Sequence, residues 1–187
     1  MSFSIVYSSV AFYLGSPKAF QPFIAFGIYS ESGTLSSYTG GFSLPVMGNQ
    51  TITWNLEVMN RMGAVQLVQL LYRLGNSTTG SPTNISPAPE NAPVFGKLET
   101  FVAKGETRRF PFDWTITRTT QSGGVVFLEM TVNGVMVTPP IGAVSGNNFR
   151  FMFELWTFDL DSNSFQYGWK DQSSVNGSWL QVWFDVV

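Results

Sequence analysis

Glu129 and Glu154 are the side chains best placed to do chemistry in this sequence, because each interrupts an otherwise apolar run. Two carboxylates held in one cleft can divide acid and base roles across a glycosidic bond. The commoner fate of a lone strand carboxylate is an ion pair with Arg or Lys on a solvated or inter-subunit face, and no spacing brings these two together. Asp159, Asp161 and Asn163 offer oxygens at alternate positions, as the first half of a calcium loop does. The pattern then fails, with Ser164 where the loop needs glycine and Lys170 where it needs a bidentate glutamate, so an Asp/Ser/Asn-rich hairpin turn is the simpler reading.

The rest of the chemical inventory is thin. The 187 residues contain no histidine and no cysteine. The usual general base, the most reactive nucleophile and the good zinc, copper or haem ligands are therefore missing, so we expect no enzyme, cofactor or metal site. There is no Gly-x-Ser-x-Gly elbow and no phosphate loop. Trp156, Trp169, Trp179 and Trp183 gather late in the chain. A row of indoles can stack sugar rings, as in a carbohydrate-binding β-sandwich module, although large aromatics more often fill cores and interfaces. Four Asn-x-Ser/Thr triplets, at Asn49, Asn76, Asn84 and Asn176, are weak signals in a chain this rich in Asn, Ser and Thr.

Composition points to packing instead. Aromatic residues make up 16% of the chain and charged residues 12%, with a net charge of -2. The only adjacent basic pair is Arg108-Arg109, so there is no basic face to drive nucleic-acid binding, and sequence-specific recognition of nucleic acid is not expected. No apolar run approaches the roughly 18 residues of a membrane-spanning helix. The first ten residues lack the basic start of a secretory signal and alternate, with Phe3, Ile5 and Tyr7 on one side, which reads as a strand.

The elements that carry these residues alternate with period two. Ile52, Trp54, Leu56 and Val58 share one face; Phe110, Phe112, Trp114 and Ile116 repeat the pattern, as do Val126, Leu128, Met130 and Val132. Asn133-Gly134 then marks a tight hairpin, and Pro139-Pro140 ends the returning strand. Phe149 to Leu160 is one long strand with a return over Ser164 to Lys170. Residues 64–74 fit a strand through Val68, Leu70, Tyr72 and Leu74; a short helix with Gln66, Gln69 and Arg73 on one side is the alternative. Residues 75–93 form a Pro-rich surface excursion within a single domain spanning 1–187. The fold class is all-β: an antiparallel two-sheet sandwich, jelly-roll-like.

The late strands are apolar on both faces. Phe151, Phe153 and Leu155 alternate with Met152, Trp156 and Phe158, and Leu180, Val182 and Phe184 alternate with Trp179 and Trp183. A strand apolar on both faces is covered twice, by an internal loop, another sheet or another subunit. Cover by other copies makes Trp156, Phe158, Trp179, Trp183, Phe3, Ile5 and Tyr7 the candidate interface. With the leaderless start and single-domain length, this strand rhythm resembles single-jelly-roll capsid proteins of archaeal viruses. The resemblance is architectural and implies a homo-oligomeric coat subunit of a virion, made in the host cytoplasm, meeting itself and other coat subunits. An extracellular filament subunit assembled by strand exchange is the rival, and a carbohydrate-binding module the second. The sequence does not decide membrane contact.

Overall fold

The computed structural model describes residues 22–35, 49–89, 91–138, 140–171 and 174–186. Within them the chain is all β, with thirteen strands and no helix, and its two main sheets pack face to face as an antiparallel sandwich.

The first sheet is built on β2 (Thr51–Asn60), which pairs with β1 (Ile24–Ser30) on one side and β5 (Thr107–Ser122) on the other. β5 continues into β6 (Val125–Val132), and β6 carries the short strands β7 (Val135–Met136) and β8 (Ile141–Val144). The second sheet is built on β9 (Phe149–Asp159). One side of β9 holds β3 (Gln66–Gly75), which in turn holds β4 (Val94–Val102). Its other side is shared end to end by β13 (Ser178–Phe184), against residues 149–155, and β10 (Ser164–Tyr167), against residues 156–159. A small ribbon of β11 (Trp169–Asp171) and β12 (Ser174–Asn176) leads into β13. The order β1-β2-β5 facing β4-β3-β9-β13 follows a Greek-key route of the immunoglobulin type, with the β6–β8 hairpins added at the edge of the first sheet.

The alternation places the core. Trp54, Phe112 and Trp114 from the first sheet meet Tyr72, Phe151 and Phe153 from the second, all nearly or wholly buried. The rings pack edge to face: Phe112 and Phe153 lie 4.9 Å apart at 86°, and Trp54 and Phe151 5.4 Å apart at 88°. Such pairs add roughly 0.5–1.5 kcal/mol each beyond the burial of their area.

Residues 66–75 are a strand, so the short helix over 64–74 does not form. Leu and Gln are good helix formers, but β3 sits between β4 and β9 and buries Val68, Leu70, Tyr72 and Leu74 on one face. Sheet pairing overrides local propensity there. Asn60, fully buried, organises the turn before β3: its amide nitrogen reaches the carbonyls of Ala64, Val102 and Ala103, and its oxygen accepts from Met62 N. The Asn133-Gly134 hairpin is present, with φ of 48° and 78°, as a type I′ turn requires.

Candidate interaction surface

The two sheets have different outer faces. That of the first sheet is polar: Thr51 bonds Thr115, Thr53 donates to Asp113, and Glu57 pairs with Arg109 at 2.6 Å. Glu129 belongs to this face, 3.8 Å from Arg118. Glu154 belongs to the outer face of the second sheet. The core separates the two carboxylates, so they cannot flank one substrate bond. Asp159 accepts hydrogen bonds from Ser162 Oγ and Lys170 Nζ, which hold its carboxyl below the ordinary range. The turn that resembled half a calcium loop is thus closed by the chain's own cation, and no cluster of three metal-ligating residues exists among the described residues.

On the outer face of the second sheet the Pro-rich excursion lies across β9 as a strap over Arg150, Met152 and Glu154. Buried charge fastens it. Arg150 donates to Thr79 O and Ser81 Oγ, and Arg73 donates to Ala92 O. Glu154, wholly buried, accepts from Ala88 N at 2.6 Å and from Trp156 Nε1 at 3.1 Å, and lies 3.2 Å from Arg73 Nε. Tyr167 donates to Thr83 O, and Gly177 N to Asn84 O. Beneath the strap Met152 packs with Ala88 and Ala92. From Arg150 to Glu154 the second face of β9 is therefore covered by this chain itself, which is the internal-loop alternative.

Electrostatics follow from that burial. Arg150 has no carboxylate partner among the described residues. Its charge is spread over Thr79 O, Ser81, Gln181 and the Trp183 ring, 4.6 Å away, and desolvation lowers its pKa. Burial raises the pKa of the Tyr167 hydroxyl, and the negative charge of Glu154 adds to the effect.

The expected interface residues separate accordingly. Trp156 and Phe158 are half-buried against their own chain, Trp156 beside Tyr167 and Phe158 against Phe165. Trp179 and Trp183 project from β13, opposite Glu154 and Arg150. Trp179 is half-buried, whereas Trp183 keeps 42% of its surface exposed. Trp169 packs on the core instead, so the four tryptophans do not form one row. Phe3, Ile5 and Tyr7 lie outside the described residues.

The sheet edges also differ. β4 carries Lys97 and Glu99, and Arg108 donates to Phe101 O and Thr100 Oγ1 along it. Arg108-Arg109 thus guards a strand edge and pairs with Glu57, a role its sequence does not announce. The residues of β13 include no charge, proline or glycine, and among the described residues this strand pairs on one side only.

No protein family and no curated protein matches this chain by sequence. Among solved structures, the Pseudomonas fluorescens alkylpurine DNA glycosylase AlkC, bound to DNA containing an abasic site analogue, is similar to it at 15% identity and a TM-score of 0.29. That likeness covers 52% of this chain and 26% of the glycosylase chain, and it is too slight to bear on function.

Proposed function

We propose that this chain is a structural, self-assembling subunit, with a viral coat protein as the specific role. The observation that carries this reading is the edge of β13, which pairs on one side only among the described residues: seven neutral residues, with Trp183 exposed beside it. Natural sheet edges are normally blunted by charge, proline or bulges, as β4 is here, because an open row of amides and carbonyls invites another strand. A filament subunit is the second reading, favoured by the same edge, because a contact that does not close on itself propagates as a filament. Size-exclusion chromatography with light scattering, followed by electron microscopy of the same fraction, tests both. Closed particles support the coat protein and filaments support the rival. A species of one chain's mass at every concentration would rule out self-assembly.

A further inference from the structure

We infer that the partner of β13 is β13 of a second copy, paired antiparallel about a twofold axis through Gln181. The inference rests on the self-assembly reading and names its contact. Gln181 is the midpoint of Ser178–Phe184, so full-length antiparallel pairing sets 181 against 181 and Trp179 against Trp183.

Three features favour this occupant. First, the strand is complementary to itself. The outer row of Trp179, Gln181 and Trp183 meets the same outer row, and the inner row of Leu180, Val182 and Phe184 meets the same inner row. A slip of one residue would set indoles against the core row, and a slip of two would leave two residues of each strand unpaired, so the full-length register is favoured. Second, neither strand brings a charge, so no like charges oppose one another across the axis. Third, the other edges of this sheet are poor competitors. β4 is guarded by Lys97, Glu99 and Arg108, and β10 is only four residues long. In the resulting dimer the second sheet runs continuously from β4 of one copy, through both β13 strands, to β4 of the other.

A seven-residue edge is a small contact beside the roughly 1,600 Å² of a standard interface. The pair is therefore expected to be concentration-dependent by itself and to become stable only where other contacts repeat around an assembly.

The chain has no cysteine, so introduced thiols report without background. Directly opposed residues in an antiparallel pair have Cα atoms about 4.5–5.5 Å apart, within disulfide reach. Under mild thiol oxidation, Gln181→Cys is expected to yield a cross-linked dimer. An equimolar mixture of Trp179→Cys and Trp183→Cys is expected to cross-link while neither does so alone, which covers the case in which losing the Gln181–Arg150 contact disturbs the fold. Cross-linking at the exposed control Ser122→Cys as fast as at position 181 would overturn the inference. So would an assembled protein in which neither the 181 variant nor the mixture cross-links; that result leaves self-assembly standing. A full-length protein that stays monomeric overturns both.

Discussion

Glu154 is the residue on which the strap depends, and its chemistry can be changed without changing its shape. Glu154→Gln keeps one oxygen, which can still accept from Ala88 N, but sets its amide NH2 against the Trp156 Nε1 donor and removes the counter-charge 3.2 Å from Arg73 Nε. Arg73 is itself 9% exposed, so its charge would remain buried and unbalanced. Breaking one side of a buried pair costs about 3–5 kcal/mol, whereas replacing both sides with apolar groups is often close to neutral. We therefore expect Glu154→Gln to lose about 3 kcal/mol in urea unfolding, with an unchanged denaturant slope. The double variant Arg73→Met/Glu154→Leu should recover most of that loss. If the double variant is as unstable as the single one, the strap depends on the hydrogen bonds these side chains make to Ala88 N and Ala92 O, and not on the balance of charge between them.

At the scale of elements, Gly168 joins β10 to β11 and admits the close approach of the next segment. Its φ is 72°, and a Cβ there would lie 2.1 Å from the carbonyl oxygen of Asn176. Its own carbonyl accepts from Thr157 Oγ1, and its amide donates to Leu155 O. Gly33 shares the positive φ, at 77°, but has open space around it. Gly33→Ala should therefore cost only the backbone term, about 1 kcal/mol, and Gly168→Ala at least about 2 kcal/mol more, because backbone must move. In a chain of this size that difference is roughly 4–8 °C in melting temperature. Equal losses would show that the ribbon gives way freely.

The same scale shows what was legible. Strands whose faces differ in polarity were readable by period two, as with Ile52 to Val58 in β2, and Asn133-Gly134 announced its own turn. β3 was ambiguous because Gln69 and Arg73 suit one side of a helix as well as the outer face of a sheet. The strap's role was not legible. It has no periodicity, and its fastenings join residues far apart, such as Glu154 to Ala88 across 66 positions and Arg150 to Thr79 across 71. Two apolar faces on β9 signalled double cover, but pattern alone cannot tell cover by the same chain from cover by another.

For the whole molecule, the low charge count that suits packing also shapes the response to pH. Glu99 is held below its ordinary value by hydrogen bonds from Lys97 and Gln69, and Asp159 by Ser162 and Lys170. A depressed carboxyl stabilises the fold above its unfolded pKa and loses that contribution as pH falls through the folded one. For these two groups the loss begins below their ordinary values of 4.5 and 3.8, and since Glu99 is exposed and Asp159 only half-buried at the surface it is small. The alkaline side is steeper. Tyr72, buried among Phe95, Phe112 and Phe153, has its hydroxyl pushed up from 10.0 to about 12 by desolvation. A raised pKa gives stability that is complete below the unfolded value and lost as pH rises towards the folded one. A rise of that size corresponds to about 3 kcal/mol lost as pH rises from 10 towards 12. Melting temperature should therefore be nearly flat from about pH 7 down to about pH 5 and fall above pH 10. Tyr72→Phe should flatten the alkaline limb, leaving the slope that Tyr167 adds with the same sign. An alkaline limb unchanged in Tyr72→Phe would mean that the hydroxyl ionises through an open flank of the sandwich, and that the aromatic core is not sealed along the cleft between Phe95 and Val132.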